Sequence, residues 1–200
     1  GFQSLPCIES IREFTAEEDR NIFSKVMECH QRDGNANERI LLYMSRNFQY
    51  PKDLDSLVYV SQILQAEAIR VGVEHMRRNR NHFRCMGAVY WQLNDCWPVA
   101  SWSSIDYYGR WKALHYRSKA FFAPVLLSAL HYADNKAVIS LTNDTLAPVS
   151  KTVYYKVKTC AGEVLKEEKS DITVGALSSE DVYDIVTDGV DPYHQYIEYG

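Results

Sequence analysis

The chain has 200 residues, 46% of them hydrophobic and 24% charged, which is typical of a globular protein with one sizeable core or two modest ones. Its 22 basic and 26 acidic residues give a net charge of -4, which disfavours a broad surface for nucleic acid or acidic lipid. No apolar run approaches the ~20 residues that a membrane-spanning helix needs, and the opening GFQSLPCIES has no signal-peptide pattern. We therefore expect neither a nucleic-acid partner nor a membrane partner.

The cysteines are widely spaced, and none of them forms a CxxC pair. They favour reduced thiols in a reducing compartment over a zinc site or a disulfide framework, so we expect a cytoplasmic protein. The sequon Asn143-Asp144-Thr145 indicates a secretory route instead, which leaves a lysosomal location as the alternative. The cysteines are Cys7, Cys29, Cys85, Cys96 and Cys160.

The first part of the chain shows helical periodicity. Thr15, which is followed by two glutamates, has the pattern of a helix N-cap and predicts a helix that runs to about Gln31. A shorter helix is predicted over residues 38–47. A long helix then begins after Pro51, because apolar residues recur at intervals of three and four as far as Met76.

A short apolar segment, MGAVYWQL at residues 86–93, follows the basic end of the long helix. It is rich in β-forming residues, as buried parallel strands are. Another helix is predicted from Trp111 to Phe122. The order helix, strand, helix is typical of an α/β fold, but one strand cannot form a sheet, so its partner strands must come from elsewhere.

After Pro124 the hydrophobic period changes to two, which predicts successive antiparallel strands. Turn residues occur at 134–135, 144–148 and 161–162, and their spacing is that of a β-sandwich. No closing element follows the last strand, so we expect an incomplete sandwich. The predicted strand segments are VLLSALHY, KAVISLTND, KTVYYKVKTC, GEVLKEEKSDITV, EDVYDIV and PYHQYIEYG.

The aromatic segment at residues 87–116 contains all four tryptophans of the chain. YWQLNDCWPVASWSSIDYYGRWKALHYRSKAFFAPV resembles the end of the catalytic barrel in β-mannosidases of glycoside hydrolase family 2. The opening GFQSLP resembles the residues after the catalytic nucleophile in that family's Ser-Glu-aromatic-Gly-aromatic-Gln-Ser motif. The resemblance implies the C-terminal portion of a TIM (β/α)8 barrel over residues 1–123, followed by an Ig-like β-sandwich over residues 124–200.

The resemblance also implies an activity, the retaining exo-hydrolysis of terminal β-D-mannose from β-mannoside oligosaccharides. It places the nucleophilic glutamate two positions before Gly1 and the acid/base glutamate further upstream, so this chain is expected to contain no catalytic residue. The implied partners are the remainder of the barrel and the N-terminal domains of the parent chain. Two carboxylates suffice for this reaction, so no cofactor and no metal are implied.

Trp91 stands at the carboxyl end of the predicted strand, where barrel enzymes place their sites. The resemblance implies that this indole lines the floor of the sugar subsite. Gln92 and Asn94 are candidates for contacts with sugar hydroxyls, although hydrogen bonds that hold the loop explain them equally well. The resemblance further implies a cis peptide between Trp91 and Gln92.

The remaining candidates surround this position. Asp95 either faces the site or holds the loop through hydrogen bonds to backbone amides. Trp97 and Trp102 either wall the pocket or pack against the sandwich domain, and Gln3 and Ser4 are candidates for orienting the nucleophile's carboxylate. The full substrate-binding set is Trp91, Gln92, Asn94, Asp95, Trp97 and Trp102.

Three other functions remain open at this stage. The first is another activity of the same family, β-galactosidase or β-glucuronidase. The second is a noncatalytic carbohydrate-binding module, for which the sandwich is a poor candidate. It has no tryptophan after residue 124, and Tyr154 and Tyr155 point to opposite faces of a strand. The third is a structural fragment, and we expect the isolated chain to be inactive.

Overall fold

A computed structural model describes three stretches of the chain, 1–132, 135–191 and 193–200. Their backbone packing forms two units, the first from residues 1–73 and 89–121 and the second from residues 74–88 and 122–200. The predicted division of domains after residue 123 stays a prediction. Of the predicted turn at 134–135, Asp134 lies outside the described residues.

Helices α1 to α5 account for most of the regular structure of the first unit. The three helices predicted over 38–47, after Pro51 and from Trp111 are confirmed within a few residues. Among the helices of the described stretches, none is both long enough and apolar enough to span a bilayer. The helices are α1 (Ile8–Phe14), α2 (Lys25–Cys29), α3 (Ala36–Asn47), α4 (Leu54–Arg78) and α5 (Ala113–Phe121).

The helix predicted from Thr15 to Gln31 is wrong. Thr15 ends α1 instead of starting a helix, since its backbone is extended and its hydroxyl donates to the carbonyl oxygen of Ile11 at 2.7 Å. The acidic residues that follow form only one 3-10 turn, and α2 begins later, where the hydroxyl of Ser24 accepts a hydrogen bond from the amide of Met27 at 3.1 Å. A threonine hydroxyl can cap a new helix or bond back to the preceding turn, and here the second alternative prevails.

The strand predicted over residues 86–93 does not form. A strand must satisfy its amides and carbonyls through a neighbouring strand, and none of the strands in the described part of the chain pairs with this segment. The side chain of Val89 is accordingly 95% exposed. The β-rich composition favours a strand, but the described residues offer this segment no partner strand.

The core of the first unit is formed by apolar side chains of α1, α3 and α4 with the segment that precedes α1. Leu5, Ile11 and Ile40 are among its most buried members. The predicted apolar stripe of α4 contributes Leu57 and Leu64. The amphipathic pattern of α4 therefore packs it onto the other helices.

The second unit contains two three-stranded antiparallel sheets, with strand orders β1-β2-β5 and β4-β3-β6. Ile139 and Ile185 of the first sheet share a core cluster with Tyr155 of the second, which is the arrangement of a β-sandwich. All six predicted strands are confirmed. They are β1 (Val125–Tyr132), β2 (Lys136–Asn143), β3 (Val149–Thr159), β4 (Val164–Val174), β5 (Ser178–Val186) and β6 (Gln195–Tyr199).

Asn143, the first residue of the sequon, is fully buried at the end of β2. Its side-chain nitrogen donates to the carbonyl oxygens of Ala147 at 2.8 Å and Gly175 at 2.9 Å. Its side-chain oxygen accepts from the amide of Thr145 at 2.9 Å. In the folded unit this side chain therefore holds two loops together.

We expect Asn143→Ala in the full-length protein to lower the free energy of unfolding by about 2 kcal/mol, because buried carbonyls lose their donor. Urea unfolding followed by far-ultraviolet circular dichroism measures the change. The control is Asn79→Ala, which removes only an exposed hydrogen bond to the carbonyl oxygen of His75. Equal losses in the two variants would contradict the structural role of Asn143.

Candidate functional site

The extended segment before α1 is held by buried polar side chains of α4. Gln65 donates from Nε2 to the carbonyl oxygen of Phe2 at 2.9 Å and accepts at Oε1 from the hydroxyl of Ser4 at 2.8 Å. The hydroxyl of Ser61 accepts from the amide of Leu5 at 3.1 Å. The sequence analysis missed both helix residues, although polar residues within an apolar stripe are a detectable pattern.

A second extended segment, residues 98–105, lies beside the first. The amide of Ser4 donates to the carbonyl oxygen of Ser101 at 3.0 Å, and the amide of Ser101 returns a bond at 3.3 Å. The amide of Gln92 donates to the carbonyl oxygen of Trp102 at 3.1 Å. The structure thus brings together three candidates that are distant in sequence, Ser4, Gln92 and Trp102.

Gly1 touches both the backbone of Trp91 and the indole of Trp102. A Cβ at Gly1 would lie 2.6 Å from the carbonyl oxygen of Trp91 and 2.8 Å from Cδ1 of Trp102. Both distances are shorter than non-bonded atoms tolerate, so this close approach requires glycine. The glycine two positions after the proposed nucleophile therefore lies directly against the backbone of Trp91, the predicted sugar platform.

Trp91 is 66% exposed and does not belong to the buried apolar core. The predicted cis peptide between Trp91 and Gln92 is confirmed. An exposed ring on an ordered segment is the geometry that a stacking platform requires, because the flat face remains accessible to an apolar ligand surface.

Asp95 is buried and holds the loop after Trp91. One carboxylate oxygen accepts from the hydroxyl of Ser101 at 2.6 Å and from Nε2 of Gln92 at 3.1 Å. The other oxygen accepts from the hydroxyl of Ser103 at 2.5 Å. The loop-holding alternative is therefore observed, through serine hydroxyls and an amide side chain instead of the backbone amides that the sequence suggested.

Trp97 stacks within the first unit. Its ring lies 5.2 Å from the ring of His30, which in turn stacks on Phe14 at 4.3 Å. Nδ1 of His30 lies 2.6 Å from the carbonyl oxygen of Pro98. One face of Trp97 is thus occupied by this stack. Asn94 is exposed, and its side-chain nitrogen lies 3.5 Å from the carbonyl oxygen of Asp95.

Gln3 is buried, and its Nε2 has no hydrogen-bond partner among the described residues. A buried amide donor without a partner costs about 1–3 kcal/mol, so proteins rarely leave one unsatisfied. This amide is therefore free to donate to a group supplied by another part of the protein.

Lys112, immediately before α5, is completely buried. Its ammonium group donates to the carbonyl oxygen of Ser101 at 3.3 Å. Burial lowers the pKa of Lys112 to about 8, and the negative charges of Asp95 and Asp106 oppose this shift. The sequence analysis did not identify this cation, because a lysine next to a tryptophan has no pattern that distinguishes it from a surface residue.

Asp106 is the second buried carboxylate near Lys112, and it organises the turn before α5. Its Oδ1 accepts from the amides of Tyr108 and Arg110, each at 3.0 Å, and its Oδ2 accepts from the hydroxyl of Ser10 at 2.5 Å. The carboxylate thus joins α1 to the aromatic segment.

Comparisons with known proteins find similar sequences and similar structures. Residues 135–199 match the family described as the Mannosidase Ig/CBM-like domain. The β-mannosidases of Capra hircus and Rattus norvegicus are 37% and 36% identical over 63% of this chain. A crystal structure of the β-D-mannosidase from Dictyoglomus thermophilum covers 100% of this chain, with 33% identity and a TM-score of 0.93. The resemblance to the β-mannosidases is confirmed.

The similarity to β-mannosidases is partial in length. The chain spans 16% of the two curated β-mannosidases and 24% of the β-mannosidase in the crystal structure. The crystal structure of an exo-chitosanase from Amycolatopsis orientalis matches 92% of this chain with a TM-score of 0.75 and 19% identity. The match covers 22% of the exo-chitosanase chain, and it shows a shared fold. The Ig/CBM-like match and these structures agree with the predicted Ig-like sandwich.

Proposed function

We propose that the protein to which this chain belongs is a retaining exo-β-mannosidase, which removes terminal β-D-mannose from oligosaccharides. The contact of Gly1 with Trp91 and Trp102 is the observation that carries this proposal. The resemblance places the nucleophilic glutamate two positions before Gly1, and two residues of chain span at most about 7 Å. The glutamate would then lie within about 7 Å of Gly1, which contacts the backbone of Trp91.

We further propose that residues 1–123 form the last part of a (β/α)8 barrel. The β-rich segment 86–93 would then pair with strands from the preceding part of the parent chain. Trp91 would stand at the carboxyl end of that strand, on the face where such barrels bind their substrates. The exposed side chain of Val89 supports this pairing, because a β-branched apolar residue favours a covered position in a sheet.

The proposed reaction proceeds by double displacement. The nucleophilic glutamate attacks the anomeric carbon and the acid/base glutamate protonates the leaving oxygen, which gives a covalent mannosyl-enzyme. The same acid/base residue then deprotonates the water that hydrolyses this intermediate. Asp95 and Asp106 are unsuited to either role, because both are buried and accept several hydrogen bonds within the first unit.

The residues of this chain would bind and orient the sugar. Trp91 provides the platform for the apolar face of the ring, and Gln92 and Asn94 lie at its edge. The buried amide of Gln3 is placed to donate to the nucleophile's carboxylate, while Ser4 fixes that segment through its bonds to Gln65 and Ser101. Trp97 and Trp102 would wall the same pocket. The reduced cysteines support a cytoplasmic location for this enzyme.

The test is hydrolysis of a panel of aryl β-glycosides of manno, galacto, gluco and glucuronic configuration by the full-length protein. We expect the highest kcat/KM for the β-mannoside, with β-mannose as the first anomer released in proton NMR spectra. The isolated 200 residues are expected to show no turnover with any member of the panel. A higher kcat/KM for another configuration would replace the proposed substrate, and α-mannose as first product would exclude the retaining mechanism.

A further inference from the structure

We propose that Asp95 is a positioning residue that fixes the side-chain amide of Gln92, so that the carbonyl oxygen of that amide faces the sugar as a hydrogen-bond acceptor. This inference rests on the proposed function, because it concerns the same sugar site. Asp95 would then act on the substrate through the side chain of Gln92 and would not contact the substrate itself.

The orientation of the Gln92 amide follows from the chemistry of its partners. Its Nε2 lies 3.0 Å from the carbonyl oxygen of Asn94 and 3.1 Å from a carboxylate oxygen of Asp95. Both partners are acceptors only, so the group facing them must be the NH2 group, and its two hydrogens are used. Oε1 accepts no hydrogen bond from any described residue, and the side chain is partly exposed.

Asp95 can impose this orientation because it is itself immobilised. Hydroxyl groups of Ser101 and Ser103 donate to its two oxygens at 2.6 Å and 2.5 Å. Both serine hydroxyls donate to the carboxylate, and the ammonium group of Lys112 is a nearby positive charge. The carboxylate oxygen therefore acts as an acceptor toward Gln92 and receives the NH2 face of its amide.

The side-chain oxygen of Gln92, which accepts no hydrogen bond from the described residues, selects the chemical class of its ligand. A lone carbonyl oxygen requires a donor, and the donors of a neutral sugar are its hydroxyl groups. Gln92 directly follows the exposed indole of Trp91. A sugar whose apolar face lies on that indole presents its hydroxylated edge to the neighbouring residue, so Gln92 would accept from one ring hydroxyl.

The experiment compares full-length variants on aryl glycosides that each lack one hydroxyl, in whichever configuration the wild-type protein hydrolyses. We expect one of these deoxy substrates to lose about tenfold in kcat/KM with the wild-type protein, which is the effect of one hydrogen bond. In Gln92→Leu that loss should shrink to about twofold. Asp95→Asn should show the same reduced discrimination for the same hydroxyl, since an asparagine can turn a donor toward Gln92 and release its fixed orientation.

Asp106→Asn is the matched control, because Asp106 is also a buried carboxylate near Lys112 but does not bond to Gln92. It should retain the full loss for the deoxy substrate. If Asp95→Asn does not fold, Ser103→Ala removes one donor to Asp95 and should reduce the discrimination about threefold.

Three results would overturn the inference. In the first, Asp95→Asn lowers kcat/KM equally for every substrate and keeps the wild-type discrimination. In the second, Gln92→Leu retains the loss for every deoxy sugar. In the third, no glycoside of the panel is hydrolysed, and the proposed function fails as well. Hydrolysis of another configuration would overturn only the mannoside assignment, since the deoxy series then tests Gln92 and Asp95 on that sugar.

Discussion

Trp91→Ala in the full-length protein is expected to lower kcat/KM for an aryl β-mannoside about 70-fold. One face of an indole covers ~100 Å² of a stacked sugar ring, and at about 25 cal/mol per Å² its removal costs ~2.5 kcal/mol. Steady-state kinetics measures the change. Because the ring is exposed and packs into no aliphatic core, the thermal midpoint should remain close to that of the wild-type protein.

The matched control for this variant is Tyr59→Ala on α4. The side chain of Tyr59 is 67% exposed against 66% for Trp91, so both substitutions remove a comparably accessible aromatic ring. Tyr59→Ala should leave kcat/KM within about twofold of the wild-type value. A decrease of similar size in both variants, or an unchanged kcat/KM in Trp91→Ala, would exclude Trp91 as the platform.

The sandwich could be predicted from the sequence because its pattern is local. Strands β1 to β6 alternate in burial or lie between turn residues, and each pairs with strands of the same unit, so periodicity alone locates them. The strand predicted over 86–93 differs, since its composition is local but none of the described strands pairs with it. A hydrophobic pattern shows that a segment can form a strand, but the strand forms only where a neighbouring strand satisfies its backbone hydrogen bonds.

The cis peptide after Trp91 could be predicted because the aromatic segment resembles a known family. The role of Trp91 as a sugar platform stays a prediction. Gln65 and Lys112 could not be predicted, because their importance comes from burial against residues that are distant in the sequence. The failure at Thr15 has a third cause, since one hydroxyl satisfies two competing local structures.

Lys112 connects the site to the stability of the first unit. The carboxylates of Asp95 and Asp106 and the thiol of Cys7 all lie near its ammonium group. A buried cation is costly unless opposite charges compensate it. Here the compensation is incomplete, because burial still lowers the pKa of Lys112 below its ordinary value.

We therefore expect the free energy of unfolding of the wild-type protein, relative to Lys112→Met, to rise by about 3 kcal/mol between pH 8 and pH 10.5. The folded protein releases the Lys112 proton near pH 8, whereas the unfolded chain retains it up to the ordinary pKa of 10.5. Within that window the unfolded state binds more protons, so stability increases with pH. Urea unfolding at a series of pH values measures the difference.

The thiol of Cys7, whose pKa burial raises, titrates in both proteins and largely cancels in the comparison. The control is Lys119→Met, which removes an exposed lysine of α5 and should give a pH-independent difference. If the difference in free energy of unfolding between the wild-type protein and Lys112→Met does not change with pH, the ammonium group of Lys112 is solvated in solution. The buried positive charge beside Asp95 would then be absent.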